Sequence, residues 1–211
     1  MAALIILAAA AAAIGGAGCA GSSGTEAAPA AAPNWPRYTA EGELLRPEKH
    51  EEWTFVGASL GLSYSDGAES SHPLFHNVLV QPEAFRAYRS TGKFPVGTTF
   101  VLAVHEAREA VTIQRRGKVE GDLVALEAAV KDPERFPDGW AYFDFGPRGQ
   151  ATSARAEPSE DCHRCHLEHG ADDNVFVQFY PILRRAREAA SGQIETSQGA
   201  GAAALPVTGD R

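Results

Sequence analysis

Five consecutive residues, Cys162-His163-Arg164-Cys165-His166, have the types and the spacing that attach a c-type haem. Two thiols three residues apart lie about one helical turn apart, so both can form thioethers with the vinyl groups of one porphyrin. The histidine that follows can ligate the iron through a ring nitrogen. The alternatives are a chance pentapeptide or a redox C-x-x-C, and the second C-x-x-C of a zinc ribbon is absent from the sequence. The motif therefore predicts one covalent haem c, attached at Cys162 and Cys165 and ligated by His166.

The methionine content of the chain limits the sixth coordination position of that iron. Met1 is the only methionine and is lost with any cleaved signal peptide, so the His/Met ligation of electron-transfer cytochromes is excluded. Two states remain: an iron with an open distal face, which suits a small ligand or catalysis, or an iron with a second histidine. The candidates for that second ligand are His50, His72, His76, His105, His163 and His169. The last two lie so close to the attachment motif that geometry disfavours them, and we favour the open site.

Residues 1–19 have the composition of an export segment. Ala2 to Ile14 is apolar throughout and is too short to span a bilayer as a stable helix. Small residues precede Cys19, as in a bacterial lipobox, although Gly16 stands where leucine is usual, and Cys19 is a candidate lipidation site. The alternative is plain signal-peptidase cleavage nearby, with Cys19 discarded. Because haem is attached to C-x-x-C-H after export, both cases predict the periplasm or the outer face of a membrane.

Composition divides the remainder of the chain into one domain and two flanks. Residues 20–34 are mostly Ala, Gly, Ser and Pro and predict a flexible linker, and residues 191–211 predict a disordered tail. Residues 35–190 between them fit a single domain. The net charge is -8 with acids and bases interspersed, so no basic run indicates a nucleic-acid partner.

Local patterns within this domain predict a mainly β, α+β fold with helices at both ends. Strands are predicted at 53–56, 75–80, 98–105, 110–114 and 139–145, with 123–130 ambiguous because its Leu, Glu and Ala residues favour helix. Helices are predicted at 42–53, 82–92, from Ser159 through the haem motif, and at about 173–190 with a bend at Pro181. The segments 60–73 and 93–97 predict a loop and a turn.

These segments together resemble the cytochrome P-460 family, with its relative cytochrome c′-beta, over nearly the whole domain. The stretches that carry the likeness are Trp53 to Gly57, Val78 to Tyr88, Thr91 to Thr98, Leu126 to Asp132, Arg135-Phe136, Gly139 to Phe143, the C-x-x-C-H motif, and Asp173 to Leu183 with its F-x-x-F-Y-P-x-L end. The resemblance implies a mainly antiparallel sheet domain that carries one c-type haem, a His-ligated iron with an open distal site, and commonly a homodimer.

Glu127 matches the position of a distal carboxylate in the hydroxylamine-oxidising members, so the resemblance implies a proton acceptor at this residue. A carboxylate near a bound N–H or O–H group can take protons as electrons leave. The alternative is a solvated side chain beside Lys131, with which Glu127 would pair at i+4 if the segment were a helix.

Leu102 departs from the pattern of the hydroxylamine-oxidising relatives. Counting from Gly97-Thr98, it stands where those relatives carry a lysine cross-linked to the porphyrin edge. Leucine has no nucleophile, and the nearby Lys93 and Lys118 fall in predicted turns. The departure argues against hydroxylamine oxidation and for an apolar distal wall, as in cytochrome c′-beta, which suits a neutral diatomic ligand such as nitric oxide.

Three functions follow from these residues. The first is a haem protein that captures nitric oxide at an open iron. The second is an oxidoreductase acting on hydroxylamine, nitric oxide or peroxide, with Glu127 as the base. The third is a bis-His electron-transfer cytochrome, which needs His72, His76 or His105 on the iron and a periplasmic redox partner. His105 alternates out of phase with Leu102, so the two should point to opposite faces of the sheet.

Overall fold

The fold is that of a computed structural model, which describes residues 36–62, 72–109, 113, 116–160 and 162–201. The predicted export segment, the linker and Cys19 lie outside the described residues. So do most of the predicted 110–114 strand and most of the 60–73 loop. No helix in the described part is long and apolar enough to cross a membrane.

Seven strands and three helices make up the described part of the chain. The strands are β1 (Leu44–Leu45), β2 (Thr54–Leu60), β3 (Leu74–Val80), β4 (Thr99–Glu109), β5 (Lys118–Lys131), β6 (Trp140–Pro147) and β7 (Ser153–Ala154). The helices are α1 (Pro82–Thr91), α2 (Cys162–His169) and α3 (Pro181–Gly201), with short 3-10 turns at His50–Glu52 and Val177–Phe179.

The main sheet is a five-stranded antiparallel meander in the order β2-β3-β4-β5-β6. The short strands β1 and β7 pair in a second antiparallel sheet. Each strand of the meander pairs with its neighbour in sequence, and α1 lies in the connection between β3 and β4. The predicted class, a mainly β α+β domain built on an antiparallel sheet with helices, is confirmed.

The two faces of the meander bury separate apolar clusters, because successive residues of a strand point to opposite faces. One cluster gathers Leu44, Leu126, Phe143 and Phe145 beneath β1 and β7. The other packs the sheet against α1 and α3, and its buried members are Val56, Val80, Ala84, Tyr88, Phe94, Phe100, Trp140, Tyr142, Val175, Val177, Leu183 and Ala186. A large cavity opens beside the second cluster, on the same face of β4 as Phe100.

The sequence left residues 123–130 ambiguous, and they form the middle of the long strand β5. This strand pairs with β4 on one side and β6 on the other, so its backbone hydrogen bonds outweigh the helical preference of its Leu, Glu and Ala residues. Strand β2 likewise continues through Gly57, where the sequence predicted its end. A Cβ at Gly57 would lie 2.7 Å from Cδ1 of Tyr180, so glycine permits the ring to pack on the strand.

Two predicted helices differ from the structure. The segment 42–53 contains β1 and a 3-10 turn in place of a helix. The final helix starts at Pro181 rather than near Asp173, because proline at the first helical position lacks only an N–H that has no intrahelical acceptor. Pro181 therefore begins α3 and does not bend it. The helix also extends through Gly201, past the predicted start of a disordered tail at Ser191.

Candidate haem site

Helix α2 carries the whole C-x-x-C-H motif on little more than two turns. Cys162, Cys165 and His166 are half-buried, and all three line one cavity of about 630 Å³. That volume lies within the range of small-molecule and cofactor sites, roughly 300–1,000 Å³. Neither cysteine forms a disulfide within the described residues. The helix was predicted to start near Ser159 but is Cys162–His169 in the structure, and the Ser159 hydroxyl donates to the carboxylate of Asp138.

The imidazole of His166 is oriented as an iron ligand requires. Its Nδ1 lies 2.9 Å from the backbone oxygen of Asn174. A carbonyl oxygen can only accept, so Nδ1 carries the proton and Nε2 keeps its lone pair for a metal. Burial lowers the pKa of His166, which favours the neutral ring. The rings of Tyr142 and Phe176 pack against it, with centroids at 4.5 and 4.4 Å.

The loop that presents the Asn174 carbonyl is held close to α2. A Cβ at Gly170 would lie 2.6 Å from the His166 carbonyl oxygen and 2.7 Å from the Asn174 carbonyl carbon, so only glycine allows this approach. Asp173 and Asn174 both have left-handed backbone conformations, with φ of 50° and 59°. Two successive non-glycine residues in this region are strained and need support from their surroundings.

Asp173 receives that support from the sheet. Its carboxylate accepts hydrogen bonds from Lys131 Nζ at 2.6 Å and from Trp140 Nε1 at 3.2 Å. The neighbouring Asp172 accepts from the hydroxyl of the fully buried Tyr88 at 2.7 Å. These bonds connect α1, β5 and β6 to the backbone that orients His166.

We predict that Asp173→Asn weakens this support. The variant loses the charge on the bond to Lys131, and we expect the free energy of unfolding to fall by about 1–3 kcal/mol. The Asn174 carbonyl then holds His166 less firmly, so the iron–histidine stretching frequency of the ferrous protein should decrease. Resonance Raman spectroscopy and denaturant unfolding measure the two effects. Asp122→Asn, which removes an exposed partner of Arg108, is the control, and an equal response in both variants would contradict the role.

A buried hydroxyl in the cavity shows that the site fits a group that the chain itself does not supply. Tyr142 is only 7% exposed, lines the cavity beside both cysteines, and its hydroxyl has no hydrogen-bond partner. Buried polar atoms are almost always paired in folded proteins. The apolar side chains of Val78, Phe100 and Val175 line the same space. Apolar walls, two thiols and an oriented imidazole are the surroundings of a covalently attached porphyrin.

The two residues predicted for the distal side, Leu102 and Glu127, are direct partners across β4 and β5. Val78 pairs with Leu102 on one side and Asp144 pairs with Glu127 on the other, so one row of side chains crosses four strands. All four residues line the cavity. The structure therefore brings Leu102 and Glu127 into the same space as the attachment motif, which lies far from them in sequence.

Glu127 is a shielded carboxyl group rather than a solvated partner of Lys131. Lys131 Nζ donates instead to Asp173 and to the carbonyl of Phe94. Burial raises the pKa of Glu127, and the negative charges of Asp144 and Glu157 raise it further. A raised pKa makes the carboxylate a stronger base than an ordinary glutamate, so Glu127 is suited to accept a proton.

Among the six candidates for a second iron ligand, His76 is the one that lines the cavity in the described part of the chain. Its Nδ1 is buried without a hydrogen-bond partner. Two of the other candidates contact backbone carbonyl groups outside the cavity. His105 Nδ1 is 3.2 Å from the Gly121 carbonyl oxygen, and His50 Nδ1 is 3.4 Å from the Pro47 carbonyl oxygen. His163 and His169 share α2 with the motif, and His72 is exposed.

Sequence reasoning missed several residues that line the site. Asp144 and Glu157 were not singled out, and Asn174 and Phe176 entered only as part of the Asp173 to Leu183 stretch, with no role in the site. The alternation along 139–145 could have placed Asp144, because it shares the strand face of Tyr142 and comes two residues later. Asn174 contributes through its backbone carbonyl, for which its side chain gives no signal.

The site and the fold define a class: a c-type haem protein built on an antiparallel β-sheet. The family model described as Cytochrome P460 matches residues 47–177, more than half of the chain. The chain therefore belongs to the cytochrome P460 family, whose members carry covalently attached haem c. The match includes the C-x-x-C-H motif, Leu102 and Glu127, and it ends before α3. No curated protein matches the chain.

Proposed function

We propose that this protein is an exported monohaem c-type cytochrome with an open iron site that binds or redox-processes small nitrogen compounds, nitric oxide first and hydroxylamine second. One observation carries the proposal: a single cavity is lined by the C-x-x-C-H motif and by the Leu102–Glu127 pair. When bound, the haem supplies an iron that coordinates small ligands and exchanges electrons. Membership of the family supports the nitrogen chemistry.

Each residue has a distinct part in this proposal. Cys162 and Cys165 hold the porphyrin, and His166 binds the iron through Nε2 while Asn174 fixes its orientation. Leu102 gives an apolar wall and has no group that could cross-link, so it favours binding of neutral diatomic ligands over turnover of hydroxylamine. Glu127 takes protons from a ligand that carries them.

The optical spectrum of the reduced protein tests the proposal, with and without nitric oxide, after production in a host that matures c-type haem. We expect a high-spin five-coordinate spectrum of the ordinary c-haem type that shifts on addition of nitric oxide. A strongly red-shifted ferrous band would indicate a cross-link from another residue and would favour the enzyme. A low-spin spectrum that ignores the ligand would overturn the open site.

A second candidate function, bis-His electron transfer, is favoured by the position of His76 in the cavity wall. Under the open-site proposal, His76→Ala leaves the spin state of the iron unchanged, because no histidine nitrogen leaves the iron. Under the alternative, the same change converts a low-spin spectrum to a high-spin one. Magnetic circular dichroism of the ferric protein distinguishes the two, and His50→Ala is the matched control outside the cavity.

We also propose that the protein resides in the periplasm or at the outer face of a membrane, anchored through a lipid on Cys19. The export segment and the post-export chemistry of haem attachment support this location. We predict that Cys19→Ser moves the protein from the membrane fraction to the soluble periplasmic fraction, because a diacylated cysteine is the anchor. Labelled fatty acid should enter the unchanged protein only. If the unchanged protein took up no labelled fatty acid and stayed in the soluble fraction, the lipid anchor would be contradicted. The proposal that the protein is exported would not be affected.

A homodimer and a periplasmic redox partner complete the proposal. The family resemblance supports the dimer, and a redox partner is needed only if the haem turns over its ligand rather than binding it. Sedimentation equilibrium tests whether the protein is a homodimer. The peroxidase-like alternative is tested in the same preparation by turnover of hydrogen peroxide with a dye donor.

A further inference from the structure

Among the residues that the structure describes, the cavity wall carries three carboxylates and no cationic side chain. Glu127, Asp144 and Glu157 line it, whereas no lysine or arginine does among the described residues. Its two histidines do not offset these charges. Burial lowers the pKa of His76, so its ring is neutral near pH 7. The other, His166, is the proposed iron ligand. The protein surface that faces a bound ligand is therefore negative.

The three negative charges are not neutralised by pairing. None of the carboxylates lies within 4.0 Å of a lysine or arginine nitrogen in the described part of the chain, as the ion pairs found there show. Asp144 accepts a hydrogen bond from the backbone N–H of Gly146 at 2.7 Å, which leaves its charge in place. The nearby Lys131 is engaged by Asp173.

The carboxylates are grouped along one side of the cavity. Asp144 is the cross-strand partner of Glu127, and the backbone N–H of Glu157 donates to the carbonyl of Tyr142 at 2.7 Å. Glu127 is half-buried while Asp144 and Glu157 are exposed, so the three carboxylates extend from the interior of the cavity towards solvent. The unpartnered hydroxyl of Tyr142 independently marks this same cavity as a ligand site.

We propose that Glu127, Asp144 and Glu157 make the cavity selective for uncharged and cationic nitrogen compounds, such as nitric oxide and hydroxylamine, against small anions such as nitrite and azide. A cleft lined by charges of one sign concentrates ligands of opposite charge and repels ligands of the same charge. Unpaired like charges are an effective way to reject a ligand that would otherwise fit. The inference rests on the proposed function, because it concerns the ligand that reaches the iron.

The experiment compares an anionic and an uncharged ligand on the full-length haem-loaded protein. Ferric protein is titrated with azide and with nitrite, and nitric oxide association is followed by stopped flow, each at low and high salt. The test variant is Asp144→Asn with Glu157→Gln, in which the introduced amide oxygen keeps an acceptor for the N–H of Gly146. The control is Glu134→Gln with Glu188→Gln, two exposed residues outside the cavity that change the net charge equally.

We expect the test variant to bind azide about tenfold more tightly at low salt, from two charges removed near the path of the ligand. High salt should shrink this gain, because ions screen exposed charges. Nitric oxide association should change far less than azide binding in the test variant, because nitric oxide is uncharged, and the control should leave azide binding unchanged. An equal gain in the control, or azide binding indifferent to the test variant, would overturn the inference alone. Failure of nitric oxide to bind the unaltered protein would overturn the proposed function as well.

Discussion

Replacing Cys162 and Cys165 together with alanine will abolish covalent haem attachment. Both thiols line the same cavity as His166, so each is placed to form a thioether with one porphyrin, and the chain has no other cysteine except Cys19. We expect the single variants to retain less covalent haem and the double variant none. Haem staining after denaturing electrophoresis and extraction with acidified organic solvent measure the loss. Covalent haem that persists in the double variant would contradict the site.

Replacing His166 with alanine will separate attachment from ligation. The two thioethers remain, so the variant should keep covalent haem, but the iron loses its protein ligand and its spectrum and reduction potential must change. His169→Ala is the matched control, because His169 lies on the same helix, is exposed and does not line the cavity. The Asn174 carbonyl also loses its donor in His166→Ala, so a modest decrease in stability is expected as well.

The attachment motif could be predicted from the sequence because its chemistry is local. The two cysteines and the histidine lie within one and a half turns of helix, and their spacing alone defines what they hold. The ring orientation of His166 could not be predicted in the same way. It depends on a backbone carbonyl in the loop after α2, and on a strained conformation that Trp140 and Lys131 stabilise from distant strands.

The cavity lining formed by Leu102 and Glu127 shows a second limit of prediction from sequence. Leu102 and Glu127 could be named from a family pattern, but their pairing depends on β5 being a strand, and the propensity of that segment favours helix. Strand pairing is a long-range contact, so its contribution is absent from any local window. The three carboxylates of the cavity illustrate the same point, because Asp144 and Glu157 approach Glu127 only when β6 lies beside β5.

The position of Glu127 leads to the second prediction of large effect, which is that Glu127→Gln removes proton transfer and leaves ligand capture intact. Glutamine has nearly the shape of glutamate but cannot accept a proton. We expect oxidation of hydroxylamine, assayed with an external electron acceptor, to fall by roughly 10²- to 10⁴-fold, the usual contribution of a general base. Nitric oxide association should be unchanged, because that ligand carries no proton. Equal losses in both assays would mean that the variant disturbs the site rather than its chemistry.

The pH dependence of turnover should differ between the unaltered protein and Glu127→Gln. A base must be deprotonated to act, so turnover by the unaltered protein should rise with pH through a pKa above the ordinary glutamate range, and the variant should lack that rise.

The contribution of Glu127 to the free energy of unfolding should have the opposite pH dependence. Because the folded state raises the pKa of Glu127, its contribution to stability is fully present below the pKa of the unfolded chain and is lost as pH rises through the folded value. Glu127→Gln should therefore unfold at a higher denaturant concentration than the unaltered protein at neutral pH, with the difference shrinking in acid. A variant that is less active and more stable would show that a half-buried carboxylate is kept at this position for its chemistry, at a cost to the stability of the fold.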